Sequence, residues 1–115
     1  MIKRKHKYNA VKTEVDGITF ASKKEAKRYG ELKLLERAGE ITSLMVRPKF
    51  DLWMMNQHSG VTVSVGSYIG DFQYWRKCGL PAGWIVEDVK GFKTPVYRLK
   101  KKMVEAQHGI KITEI

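Results

Sequence analysis

The stretch Trp84-Ile85-Val86-Glu87-Asp88-Val89-Lys90-Gly91 decides the fold class of this chain. An apolar start, two acids, a valine and a lysine before a glycine read as one β-strand. Side chains alternate along a strand, so Val86, Asp88 and Lys90 share one face and Ile85, Glu87 and Val89 the other. Acids are disfavoured inside strands and costly to bury unpaired, so Asp88 needs an edge position, a salt bridge or a metal.

Upstream, Val61, Val63 and Val65 alternate with Thr62 and Ser64. This marks a strand that bends at Gly66 and continues through Tyr68-Ile69-Gly70-Asp71-Phe72-Gln73-Tyr74. Asp71 is the second acid inside a strand-like run. Ile41 to Met55 reads as extended, broken near Pro48, with a turn at Asn56-Gln57-His58-Ser59-Gly60.

Helices flank this block. Ser22-Lys23-Lys24-Glu25 is a capping box that opens a helix over 23–38, with Tyr29, Leu32 and Leu35 inward and Gly39 as its stop. Thr94-Pro95 caps and starts a second helix that runs to His108 and stops at Gly109, with Val96, Leu99, Met103 and Ala106 as the expected core face. Ile110-Lys111-Ile112-Thr113 is the expected last strand. Asp16-Gly17 between short β-favouring runs signals a small hairpin ahead of the first helix. The expected order after that hairpin is α-β-β-β-α-β, one α/β domain over 13–115, preceded by a basic N-terminal arm over 1–12.

Composition bounds the chemistry. The 115 residues suit one core, and Lys and Arg number 22 against 12 acids, a net charge of +10 with a pI near 9.8. Such a surplus points to a polyanionic partner, nucleic acid first. No apolar run is long enough to span a bilayer and none follows the basic start, so no membrane partner and a soluble, cytoplasmic protein are expected. Cys78 is the single cysteine, so neither an intramolecular disulfide nor a multi-cysteine zinc site is available. His6, His58 and His108 have no ligand spacing, and a Gly-rich phosphate loop is lacking.

If the strands of Asp71 and Asp88 are neighbours, two carboxylates and the Lys90 ammonium converge. From spacing alone two roles stand level: a salt bridge that holds the sheet edge, and a site for phosphodiester hydrolysis. The charge favours the second. Carboxylates suit Mg²⁺, with Mn²⁺ as substitute, and a lysine suits the orientation of an attacking water.

Asp71, sixteen intervening residues, then Asp88-Val89-Lys90 resembles the PD-(D/E)XK nuclease superfamily, which shares the order α-β-β-β-α-β. More narrowly, the block Lys12-Thr13-Glu14-Val15-Asp16-Gly17, the block Ser22-Lys23-Lys24-Glu25-Ala26 and the block Val86-Glu87-Asp88-Val89-Lys90-Gly91-Phe92 resemble a small phage-borne family. Its members carry the labels uncharacterised or endonuclease. The resemblance implies a restriction-endonuclease-like core and a Mg²⁺-dependent endonuclease. Catalysis would fall to Asp71, Asp88, Lys90 and Glu25, with Asp71, Asp88 and Glu25 as metal ligands. Lys101 or Tyr97 would match the polar residue that the superfamily often places on the second helix, although a solvated basic face accounts for Lys101 as well. Gly70 stands where the motif has its proline. Glu87 fits a salt-bridge partner or a helper beside the metal.

DNA is the expected partner, branched or otherwise non-standard, held through Lys3, Arg4, Lys5 and Lys7 of the arm, Lys23 and Lys24 with Lys27 and Arg28 on the first helix, and Arg98 and Lys101 on the second. A structure-selective enzyme of phage recombination, such as a Holliday-junction resolvase, would require a homodimer to cut two strands. A general nicking or single-strand nuclease, a non-catalytic architectural DNA-binding protein and a basic accessory subunit are the alternatives.

Overall fold

The computed structural model describes residues 12–89 and 93–115. Lys3, Arg4, Lys5 and Lys7 of the expected arm lie outside the described residues, as do Lys90, Gly91 and Phe92.

The chain is mixed α/β, with two helices and eight strands among the described residues. Strands β1 (Thr13–Val15) and β2 (Ile18–Phe20) form the small hairpin. Asp16 and Gly17 at its tip have φ of 52° and 76°, the two positive values that a tight type I′ turn demands. Helix α1 spans Lys23–Arg37. Then come β3 (Ile41–Val46), β4 (Lys49–Met55), β5 (Thr62–Ile69), β6 (Phe72–Arg76) and β7 (Gly83–Asp88), followed by α2 (Pro95–His108) and β8 (Ile112–Glu114).

A four-stranded sheet in the order β3-β6-β7-β8 carries the site. Its first two pairings are antiparallel. The last, β7 with β8, is parallel, and α2 provides the crossover that a parallel pair needs. One face packs on α1 through Phe20, Tyr29, Leu32, Phe72, Tyr74, Ile85 and Val89. The other packs on α2 through Val86, Tyr97, Val104 and Ile112, joined by Leu52 and Tyr68 of β4 and β5. The alternation along 84–90 is thus observed as far as Val89: Ile85 and Val89 go to one core, Val86 to the other.

Of the two extended runs ahead of β7, the first breaks where its proline indicated, while the second, expected to bend at Gly66 and continue through Asp71, breaks as well. The first is interrupted at Arg47-Pro48 and the second at Gly70-Asp71, so β4 and β5 form a two-stranded sheet of their own. Arg47, at φ 57°, turns the chain, while its N–H donates to the Asp71 carbonyl at 2.9 Å and the Gly70 N–H to the Pro48 carbonyl at 3.0 Å. The two breaks therefore lie side by side, and the outer hairpin folds onto α2. Gly70 is there for want of room. A Cβ on it would meet Val86 Cγ1 at 3.1 Å and Pro48 Cγ at 3.4 Å.

Two further expectations are corrected. The last strand starts two residues later than its pattern indicated, at Ile112. Helix α2 buries Tyr97 and Val104 and half-buries Met103, whereas Val96 and Leu99 are 62% and 60% exposed and Ala106 is exposed too. The polar tips of Tyr97 and Lys101 find a carboxylate in Glu114, and these amphipathic side chains can then line the inner face. Among the described residues no helix is long and apolar enough to cross a membrane.

Gly70→Val is expected to overpack the kink against Val86 and Pro48 and to lower stability by about 1–3 kcal/mol, read as a lower urea midpoint at unchanged slope. An unchanged midpoint would show that the break tolerates a side chain.

Candidate functional site

The start of α1 sets the first acid. Ser22 Oγ accepts the Glu25 N–H at 3.1 Å, and Glu25 Oε2 reaches back to accept the Ala21 N–H at 2.8 Å. The Ser22 half of the capping box is formed, while Glu25 reaches one residue past the N-cap to the Ala21 N–H, which fixes its side chain at the start of α1.

Asp71 is set by the break between β5 and β6. Its N–H donates to the Glu87 carbonyl at 3.0 Å, and its Oδ2 accepts the Val89 N–H at 2.6 Å. Backbone and side chain of Asp71 thus clip the residues on either side of Asp88. The carboxyls of Glu25 and Asp88 are close enough to Asp71 to act on its ionisation. Burial first, and then the Glu25 carboxylate beside it, push its pKa from the ordinary 3.8 up to about 6 against the stabilising Val89 N–H and the Asp88 contact.

Asp88 closes the group. It is 1% exposed and accepts a hydrogen bond from the Tyr68 hydroxyl on the outer hairpin. Burial, then the carboxylate itself, push the Tyr68 phenol upward, so that hydroxyl remains a donor at any ordinary pH. The outer hairpin, whose second strand the sequence pattern ran straight on through Asp71, therefore supplies a positioning group.

Glu87, also 1% exposed, points the other way. Arg28 holds it bidentately, Nε to Oε1 at 2.7 Å and Nη2 to Oε2 at 2.6 Å, and the Tyr74 hydroxyl donates to Oε2. The Glu87 hydrogen bond, working against partial burial, raises the Arg28 pKa further above its already high value. Arg28, expected among the phosphate-facing cations of α1, is thus a structural ligand of Glu87, and Glu87 is the salt-bridge partner that its place beside Asp88 suggested. Glu25 and Arg28 sit one helical turn apart and Glu87 and Asp88 are adjacent, so the ion pair fixes α1 against β7 at the level of the acids.

Beyond Asp88, β8 brings Glu114 into register opposite it. Tyr97, Lys101 and Lys93 contact Glu114 at 3.0, 3.2 and 3.3 Å. Burial opposes ionisation there, but hydrogen bonds from Lys101, Tyr97 and Lys93 outweigh it and hold the Glu114 carboxyl below its usual range. These residues, with Arg98 and Lys102, line an open cleft of about 440 Å³ along α2. Lys101 is thereby tied down, while Arg98 is exposed. On α1, Lys23 is exposed and the Lys24 ammonium donates to the Ile115 carbonyl at 2.9 Å.

The fold thus gathers Glu25, Asp71 and Asp88 from three separate elements. Tyr68 and Glu114 are the members that sequence reasoning missed: Tyr68 was legible only as an ordinary strand residue, and Glu114 lay just past the expected last strand. Among the described residues no group of three or more His, Cys, Asp or Glu side chains is placed to hold a metal ion by itself. The donor set still suits a hard divalent cation. Mg²⁺ asks for one or two carboxylates and fills its remaining positions with water and substrate phosphate, and a cation there would offset the burial and the Glu25 carboxylate that push the Asp71 pKa up.

A family model described as "Protein of unknown function (DUF1064)" matches residues 5–114, and the chain belongs to that family. No curated protein and no solved structure matches it.

Glu87→Ala leaves the Arg28 guanidinium without its buried partner and is expected to cost about 3–5 kcal/mol. The checks are a thermal melt and the melt of Arg28→Met/Glu87→Leu, which removes both charges and is expected to recover most of that loss. Equal melting temperatures for wild type and Glu87→Ala would contradict this role.

Proposed function

We propose that this chain is a Mg²⁺-dependent DNA endonuclease built on a PD-(D/E)XK-like core. The observation that carries the proposal is the clip of Asp71, just before β6, onto the residues on either side of Asp88 at the end of β7, with Glu25 of α1 near enough to help push the Asp71 pKa up. The order α1-β3-β6-β7-α2-β8 around the four-stranded sheet supports it, because the resembled superfamily orders its core and its two acids in the same way.

Asp71 and Asp88 would hold the ion, with Mn²⁺ as substitute, and Glu25 would join through its remaining oxygen. The chemistry that Mg²⁺ supplies when bound is positive charge at the phosphate and a more acidic water. The chain's own residues do the rest. Tyr68 fixes the Asp88 carboxylate. The Val89 N–H fixes Asp71. Lys90 lies outside the described residues; the resembled motif, with its lysine two residues after the second acid, implies that its ammonium would orient the attacking water and offset developing charge. The cations of α2, Arg98 foremost, together with Lys23, Lys24 and the sequence-defined arm, would take phosphates, which makes binding salt-dependent. Acids and basic residues carried on one small α/β unit fit a structure-selective enzyme of DNA recombination acting on branched DNA, as a homodimer where two strands must be cut.

A second reading has one observation in its favour. Asp88 is almost wholly buried and bonded to Tyr68, as in an acid that only braces the sheet of an architectural DNA-binding protein.

Cleavage of labelled four-way-junction, flap, single-stranded and duplex DNA in Mg²⁺ or Mn²⁺ decides between them. Wild type is expected to cut at least one of these. Asp71→Asn, Asp88→Ala and Lys90→Ala are each expected to lose about a hundredfold or more in rate while DNA binding is retained. Salt-dependent binding with no cutting in either metal would leave the acids a bracing role.

A further inference from the structure

Trp75 and Trp84 lie outside both core clusters. They are directly opposed on β6 and β7, with rings edge to face at 5.3 Å and 81°. They remain 40% and 52% exposed. A tryptophan pair of this size is normally buried for its apolar area, and leaving both open on a sheet face forgoes that gain. Gly83, next to Trp84 and at φ 93°, carries no side chain against the Trp75 ring.

The pair sits in line with the acids. Trp84, Val86 and Asp88 alternate onto the α2 side of β7, and Trp75 and Gln73 occupy the matching places on β6, with Asp71 just before that strand. On the β3 side the row is open: Met45, opposite Gln73, is exposed, and Gln73 is only half-buried. Four residues at roughly 3.3 Å each put the pair about 13 Å from the acids along the sheet, a span of a few nucleotides of unpaired strand. Lys77, just past the end of β6, and Lys111, just before β8, are exposed at the same end, in a chain of net charge +10.

We propose that Trp75 and Trp84 form a stacking platform for unpaired bases of the DNA strand that continues from the acid site. This rests on the nuclease reading for its substrate. Every base has a π-face, so stacking favours single strands without demanding a sequence, while nearby lysines take the backbone. Such a platform would give the enzyme its preference for DNA with an unpaired segment near the cut.

The test uses the full chain in EDTA, so that binding is read without cleavage, with oligothymidylate as probe. The chain's third tryptophan, Trp53, is on β4 of the outer hairpin, and Trp53→Phe leaves Trp75 and Trp84 as the only reporters. Oligothymidylate is expected to quench the fluorescence of that variant. Trp84→Leu and Trp75→Leu are expected to weaken anisotropy-measured binding of the same oligonucleotide about tenfold, with Trp84→Phe restoring most of it and circular dichroism confirming the fold of each variant. Binding that leaves the fluorescence of Trp53→Phe unchanged and is equal in both leucine variants would overturn the platform, even where Asp71-dependent cleavage persists. Failure of every oligonucleotide and duplex to bind would overturn the platform and the nuclease reading together.

Discussion

The architecture of the candidate site depends on the ion pair between Arg28 and Glu87. Glu87 is buried in the middle of the sheet and would be a heavy cost without a partner. The planar guanidinium meets both of its oxygens, and Tyr74 adds a hydroxyl. A bidentate pair of this kind tolerates little slippage, so α1 has one register against β7. Everything acidic is then referred to that register. Glu25 lies one turn before Arg28, Asp88 follows Glu87, and Asp71 donates its N–H to the Glu87 carbonyl and takes the Val89 N–H in return.

The second constraint is the paired break at Pro48 and Gly70. A straight β-hairpin would carry Tyr68 away from β7. Folding its outer half onto α2 instead brings the Tyr68 hydroxyl to Asp88 and the Tyr68 ring beside Tyr97. Gln107 and His108, at the end of α2, hydrogen-bond to the backbone of Trp53 and Asp51 and so cover part of a strand edge that would otherwise invite pairing with another chain. The acid group thus has a rigid wall on the α1 side, held by an ion pair, and a second wall on the α2 side, held by aromatic packing.

Local chemistry made the helices readable from sequence. Ser22 with Glu25, Thr94 with Pro95, and Gly109 mark their ends because each satisfies or terminates a specific set of backbone groups. Asp71 and Asp88 stood out because carboxylates inside strand-like runs demand a reason. The break near Pro48 was readable from its proline, but the one at Gly70-Asp71 was not, since it becomes a break only where it faces Arg47-Pro48 across two strands. Nor was the inner face of α2. Val96 and Leu99 outrank Tyr97 and Lys101 in apolarity, and only the distant Glu114 makes the latter pair suited to the interior. Glu114 itself, near the end of a short strand, has meaning only once β8 is paired with β7.

Crystals soaked in Mn²⁺ and examined for anomalous scattering at the manganese edge would locate the ion directly. An anomalous peak within bonding distance of both the Asp71 and Asp88 carboxylates, absent from Asp71→Asn crystals, is the result expected. Lack of a peak there, or a peak confined to Glu114 in the cleft along α2, would contradict the assignment of the acids as a metal site.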